Sequence, residues 1–264
     1  MSPFPSLNPI MKPQSIALIG ASTKEHTIGS DILKRLTEYG FTGNLYPVNP
    51  KADAIGGLKA YASVKDIEGP VDLAIIVINA KHVLSVIDEC HEKGVGGLCV
   101  ISAGFKESGA AGATLEDELL KKCRAYKMRC IGPNCLGVVN THPSIRMDGC
   151  FAETLPERGD IGFVSQSGAL GGGILNILKD LNIGFAQFIN QADVNATTAI
   201  EYWENDDDVG QILLYMESIP NPAAFRKAAE RVSKKKPILA LKAGRSEAGA
   251  SAASSHTGSL AGSD

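Results

Sequence analysis

The sequence carries no surplus of positive charge: 26 lysines and arginines stand against 29 aspartates and glutamates, a net charge of −3 over 264 residues. A nucleic-acid surface needs a basic stripe, so that class of partner is excluded and a smaller ligand is expected. No apolar run approaches the roughly 20 residues needed to cross a bilayer, and no early stretch has the charged start, apolar middle and small-residue cleavage pattern of a signal peptide. The expected location is therefore the cytoplasm, with no membrane contact. Six cysteines (Cys90, Cys99, Cys123, Cys130, Cys135 and Cys150) lack the paired C-x-x-C spacing of a zinc site and the density of a secreted disulfide scaffold. They read as reduced, mostly buried small residues, and no metal site is expected. The G-x-G-x-x-G dinucleotide fingerprint is missing too.

What is present is a regular alternation. Between Ser15 and about Val139, short apolar runs such as Ile16-Ala17-Leu18-Ile19, Leu73 to Ile78 and Gly97 to Ile101 are separated by amphipathic stretches over Ile28 to Tyr39, Lys81 to Lys93 and Ala113 to Tyr126. Continuous apolar strands separated by helices predict a parallel sheet covered on both faces, a doubly wound α/β fold. After a loop-like stretch from Asn140 to Asp160 the rhythm restarts at Ile161 to Val164 and ends with Ile238 to Leu241. Two domains with mainly parallel sheets are expected, over residues 1–142 and 143–264. The second stops where a further helix and strand would normally follow, so the chain reads as a piece of something longer.

Open parallel sheets bind ligands beyond the carboxyl ends of their strands, which makes the strand exits the places to search. The first strand runs into Gly20-Ala21-Ser22-Thr23-Lys24, a turn of small residues leading to a helix whose N-terminal amides face an anion. A phosphate-bearing nucleotide is the expected ligand. The second strand ends at Val48-Asn49-Pro50-Lys51 with no carboxylate to hold a ribose 2′-hydroxyl, which disfavours NAD. Lys51 offers a cation for an additional ribose phosphate of the kind coenzyme A carries at the 3′ position, though an ordinary solvated lysine fits the same place. Ile78-Asn79-Ala80 and Ile101-Ser102-Ala103 present small residues where an extended ligand could cross the sheet edge.

In the second half, Val164-Ser165-Gln166-Ser167-Gly168 is a strand-to-helix junction with exposed amides and two hydroxyls, suited to a phosphoryl group. It also approaches the G-x-S-x-G nucleophile elbow, but Ser165 stands where the first glycine belongs, which favours a phosphate cradle over a serine nucleophile. Glu217 stands at the exit of Leu213-Leu214-Tyr215-Met216, and His256 lies beyond Ile238 to Leu241 in Ser254-Ser255-His256-Thr257-Gly258. A carboxylate that fixes the tautomer of an imidazole leaves the other ring nitrogen free to attack phosphorus. Three strand exits thus offer a cradle, an orienting group and a nucleophile.

In this order, with Gly132-Pro133-Asn134-Cys135-Leu136-Gly137 between the halves, these motifs resemble the CoA-binding and CoA-ligase domains of the NDP-forming acyl-CoA synthetases, a family of the succinyl-CoA synthetase superfamily that includes ADP-forming acetyl-CoA synthetases. The resemblance covers nearly the whole chain. It implies a Rossmann-like domain followed by a flavodoxin-like one, phosphorylation of His256, and Glu217 steadying it. The helix opening at Ser167-Gly168, with Ser165, then holds the phosphoryl group. Coenzyme A contacts are implied at Gly20, Ala21, Ser22, Thr23, Lys24, Lys51, Ile101, Ser102 and Ala103. The implied reaction converts acyl-CoA, ADP and phosphate reversibly into acid, CoA and ATP. ATP and ADP with Mg2+ enter only through an ATP-grasp domain or subunit, and an oligomer is expected. The chain departs from the family at Asn190-Gln191-Ala192-Asp193, where many members have Gly-Asn or Gly-Gly before the aspartate. Gly172 stands where succinyl-type members carry tyrosine, pointing to a monocarboxylic acid, small or aromatic.

Two other readings compete. A CoA-binding regulatory module, of the kind fused to acetyltransferases, has no need of His256 and Glu217 together and is distinguished by CoA binding without phosphotransfer. An NAD-linked dehydrogenase would require tight nicotinamide binding despite the missing ribose carboxylate.

Overall fold

Ser15–Ile19 (β1) is buried at all five positions, and a strand with no solvent side must have a layer on each face. A computed structural model describing residues 6–152, 154–190 and 194–244 shows those layers. Before β1 lies the short helix α1 (Asn8–Met11), and after it α2 (Ile28–Tyr39), β2 (Asn44–Val48), and a small hairpin of β3 (Ala54–Ile55) and β4 (Leu58–Lys59). Then follow β5 (Leu73–Ile76), α3 (Val83–Lys93), β6 (Gly97–Val100), α4 (Ala110–Ala125) and β7 (Arg129–Ile131). The five longer strands form a parallel sheet in the order β2-β1-β5-β6-β7. The order reverses at β1, so the crevice between the ends of β1 and β5 is a topological switch point.

The second sheet is built from β8 (Gly137–Asn140), β9 (Met147–Cys150), β10 (Arg158–Ser165), β11 (Phe185–Asn190), β12 (Gln211–Met216) and β13 (Ile238–Lys242), in the order β13-β12-β10-β11-β8-β9. Its four-strand centre is parallel, while β8 and β9 run antiparallel at one edge. The connecting helices are α5 (Gly168–Asp180), α6 (Ala196–Trp203) and α7 (Pro222–Val232). Here the switch point falls at β10, whose exit feeds directly into α5.

The stretch read from sequence as loop-like between Asn140 and Asp160 contains β9 and the start of β10. Met147-Asp148-Gly149-Cys150 shows neither alternation nor branched side chains, and it is a fully buried strand because tertiary contacts supply what the pattern lacks. The β8–β9 hairpin spans the expected junction at 142/143, and both of its strands pair in the second sheet. It also packs on α2 of the first unit. Asp148, fully buried, lies 2.7 Å from the Arg35 guanidinium of α2, Arg146 donates to the Tyr39 carbonyl at 2.8 Å, and Asn140 donates to the Met11 carbonyl at 2.6 Å. One apolar core runs without a break from Ile16 and Leu18 through Val138 and Met147 to Val164 and Trp203. Among the described residues no helix is long and apolar enough to cross a membrane.

Candidate functional site

The β1 exit is shaped by what glycine permits. Gly20 has φ +97°, and a Cβ there would lie 2.1 Å from the Val77 carbonyl oxygen; one on Gly29 would lie 2.1 Å from the carbonyl of Gly20. The turn and the first residues of α2 therefore press together over the sheet edge, and the α2 amides come close to any ligand in the crevice. Thr27 caps the helix in a reciprocal pair with Ser30. Asn49, at the end of β2, donates to the Ala21 carbonyl at 2.7 Å and accepts from the Lys51 amide at 2.9 Å, joining the two strand exits. Gly20, Ala21, Ser22 and Lys51 line one cavity of about 770 Å³. Ser22 and Thr23 also line a hollow on the outer side of α2, and Lys24 is exposed at the tip of the loop.

A second cavity, about 740 Å³, continues from the first past their shared walls Ile28, Val77 and Ile78 into the cleft between the two sheets. Both fall within the roughly 300–1,000 Å³ usual for ligand sites. Ile101, Ser102 and Ala103 lie on the first-sheet side, and Gly168, Ala169 and Gly172 of α5 lie opposite. The path leads from the β1 turn to the N-terminus of α5. Ser102 is buried, and its hydroxyl accepts from the Ile78 amide at 3.0 Å and is 3.4 Å from the Ile76 carbonyl. It holds the ends of β5 and β6 together, leaving its backbone surface and that of Ala103 to meet a ligand.

The junction between β10 and α5 is organised by its two serines. The Ser165 hydroxyl donates to the Ser167 carbonyl at 2.6 Å and accepts from the Ser167 amide at 3.2 Å, while the Ser167 hydroxyl caps α5 by accepting from the Leu170 amide at 3.3 Å. The amides of Gly168 and Ala169, in the first turn, have no carbonyl within the helix to bond, and with the helix dipole they present a partial positive charge at this end of α5. Substituting Ser167 by Ala removes the cap and should cost about 1 kcal/mol. A thermal melt should register a Tm lower by about 2–4 °C.

Glu217 follows β12 directly. Tyr215 pairs with Ser165 across the sheet, and residues two apart share a face, so Glu217 projects on the side occupied by α5. It is only 4 % exposed, and its Oε2 has no hydrogen-bond partner among the described residues. Burial, followed by the charge of the Glu217 carboxylate, pushes the Tyr215 hydroxyl above its usual range. Gln166 fixes the backbone here. Its Oε1 accepts from the Glu217 and Ser218 amides, and its Nε2 donates to the Ser218 carbonyl at 2.8 Å. The β13 exit lies alongside, the Ala243 amide donating to the Met216 carbonyl at 2.8 Å. His256 lies outside the described residues, as do Gln191, Ala192 and Asp193.

The fold thus brings Ser165, Ser167, Gly168 and Glu217 together at one sheet edge, with the β1 turn reaching that edge through the interdomain cleft. Sequence reasoning gave no role to Gln166 and noted Asn190 only as a departure from the family pattern; the polar side chains of both serve neighbouring strands. The six cysteines are all buried and unpaired, the Cys99 and Cys135 sulfurs 3.8 Å apart. Among the described residues no group of three His, Cys, Asp or Glu could hold a metal.

Residues 14–141 match the family described as a CoA binding domain, and residues 158–264 match the succinyl-CoA ligase-like flavodoxin domain. The chain is 45% identical over 258 residues to an ADP-forming acetate–CoA ligase of Methanocaldococcus jannaschii, spanning 97% of this chain and 36% of that protein. It is 46% identical over 260 residues to the alpha subunit of ADP-forming acetate–CoA ligase II of Pyrococcus furiosus, spanning 97% of this chain and 56% of that subunit. In structure it resembles acetyl-coenzyme A synthetase 1 of Ca. Korarchaeum cryptofilum in complex with phosphate and ADP, with a TM-score of 0.92 and 40% identity over 98% of this chain and 56% of that one. The chain accordingly spans between about a third and somewhat over half of the length of these relatives.

Proposed function

The chain belongs, by its CoA-binding and succinyl-CoA ligase-like domains, to the NDP-forming acyl-CoA synthetase family, and on that premise we propose that it is the CoA-binding and phosphoryl-carrying part of an acid–CoA ligase. The overall reaction is acyl-CoA + ADP + phosphate = acid + CoA + ATP. A phosphate oxygen attacks the thioester carbonyl, the C–S bond breaks and the CoA thiolate leaves, giving an acyl phosphate. An imidazole nitrogen of His256 then attacks phosphorus, the carboxylate leaves, and the phosphohistidine passes its phosphoryl group to ADP. The last step needs an ATP-grasp domain or subunit with Mg2+, in keeping with relatives longer than this chain.

Each residue has a physical task in this scheme. Gly20 to Lys24 and Lys51 receive the nucleotide phosphates of CoA, the missing side chains at Gly20 and Gly29 letting the turn, the edge of the sheet and the start of α2 pack closely together. Ile101 to Ala103 border the path of the pantetheine arm. The amides at Ser167-Gly168, ordered by Ser165, hold the transferring phosphoryl group; phosphoryl transfer asks little of a protein beyond such positioning and charge stabilisation. The substrate is a monocarboxylic acid, and the wall at Gly172 supports this, since no side chain there reaches into the cleft.

The observation that carries the reading is the buried Glu217 Oε2, which has no hydrogen-bond partner among the described residues, on a residue whose amide is held by Gln166 of the β10–α5 turn. A buried carboxylate oxygen left unbonded is costly, and an imidazole N–H satisfies it while fixing the ring's tautomer. Glu217→Gln keeps the shape but loses the charge that stabilises imidazolium, so phosphohistidine formation should slow by at least about 100-fold. Incubation with acetyl phosphate labelled in its phosphoryl group, followed by alkaline and acid treatment, measures this, because phosphohistidine survives base and not acid. Absence of such label in the unaltered protein, both from acetyl phosphate and from ATP with Mg2+ and the ATP-grasp part, together with retained CoA binding, would replace this reading by the regulatory-module one.

A further inference from the structure

Asn190 closes β11 at the point where two neighbouring strands diverge. Its side chain is 2 % exposed, and both ends are used: Oδ1 accepts from the Leu136 amide at 2.6 Å, and Nδ2 donates to the Ser165 carbonyl at 2.7 Å. In the sheet β11 lies between β10 and β8, and its backbone pairing runs to Ser165 on one side and Val138 on the other. The side chain adds to the backbone pairing and ties the exit of β10 to the entry of β8.

Both of these strand ends adjoin the interdomain cleft. Leu136 follows Asn134 and Cys135 on the wall reached from the first sheet, and Ser165 orders the turn that opens α5. Asn190 Oδ1 would be 3.2 Å from a Cβ placed on Gly168, so the amide abuts the first residue of α5. Only a side chain with one donor and one acceptor at this spacing satisfies both contacts.

We propose that Asn190 is a positioning residue that sets the distance between the CoA thiol and the acyl phosphate, and so controls the acyl-transfer half of the reaction. The proposal rests on the ligase reading above. In the direction of thioester synthesis the thiolate attacks the acyl phosphate carbonyl, a C–S bond forms, the C–O bond to phosphate breaks and inorganic phosphate leaves. The reacting atoms must come within about 3–3.5 Å, and a misplacement of about 1 Å costs on the order of 100-fold. The phosphoryl half needs the α5 end and Glu217, both on the second sheet's side, together with His256.

The test uses the full chain with acetyl phosphate and CoA, measuring acetyl-CoA formation and His256 labelling side by side. Asn190→Ala should lower kcat for acetyl-CoA formation by about 100-fold, leave KM for CoA within about twofold, and slow histidine labelling by less than about tenfold. Asn190→Asp, nearly isosteric, keeps the Leu136 contact, sets a carboxylate oxygen against the Ser165 carbonyl and brings negative charge to Gly168. It should slow both half-reactions at unchanged KM for CoA, and it serves alone if the alanine variant fails to fold. Equal slowing of both half-reactions in Asn190→Ala, or unaltered acetyl-CoA formation in Asn190→Asp, overturns the proposal and leaves Asn190 a structural staple. No acetyl-CoA and no histidine label from the unaltered chain would instead overturn the ligase reading itself.

Discussion

On the ligase reading proposed above, His256→Ala is expected to abolish phosphoenzyme formation and to leave CoA binding intact. An imidazole is the group at the end of this chain able to accept a phosphoryl group at neutral pH, and alanine offers no nucleophile in its place. The loss in overall acid–CoA ligation is expected to be on the order of 10⁴-fold or greater, the scale seen when a nucleophile is removed from an otherwise complete site. In the proposed scheme acyl transfer between acetyl phosphate and CoA does not pass through the histidine, so it should persist. A calorimetric CoA titration and the labelling assay, run on one preparation, separate the two. Phosphate label remaining in the alanine variant, or equal loss of acyl transfer, would remove His256 from the mechanism.

Arg35→Met lowers stability by about 3 kcal/mol, seen as a Tm reduced by roughly 6–12 °C. Arg35 and Asp148 are 11% and 0% exposed, and removing one partner of such a pair strands the other charge in a medium that solvates it poorly. The contact is largely electrostatic: the guanidinium nitrogen lies 2.7 Å from Asp148 Oδ2 but off the direction of a hydrogen bond, while the same nitrogen donates to the Thr154 carbonyl at 2.6 Å. Burial raises the Asp148 carboxyl above its usual range, partly opposed by Arg35 and by the Cys150 thiol. A carboxyl raised on folding binds its proton more tightly in the native state, so its stabilising effect is complete in acid and is lost as pH rises through the folded value. Without Arg35 that value rises further. The gap between variant and unaltered protein should therefore be widest near neutral pH and narrow toward pH 4 in melts across the range. A second change, Asp148→Leu, should recover part of the loss, because replacing both members of a buried pair by apolar groups is often close to neutral.

The α/β alternation was legible because its signal is local: β1, β5 and β6 are uninterrupted apolar runs, and α2 ends at Gly40 in the left-handed conformation. The strand exits could be located for the same reason, and so could the serines of the β10–α5 turn. β9 was not legible, since a four-residue strand centred on a buried aspartate is created by Arg35, more than a hundred positions earlier. Asn190 was noticed in sequence only as a departure from a family pattern, and its two hydrogen bonds depend on the sheet order β10-β11-β8 that no local period encodes. The hydroxyl of Ser102, bonded to backbone at the ends of β5 and β6, shows the converse: a residue recognisable by position whose polar atom serves the scaffold.

The β8–β9 hairpin has a consequence for biosynthesis. It is the outer edge of the second sheet, yet it is made before the central strand β10 and rests on α2 of the first unit. As the chain leaves the ribosome, the first unit can finish folding and hold this edge ready, so that β11 meets a docked strand on arrival. The later-made half then has a template to pair with, one already carried by contacts to the first unit.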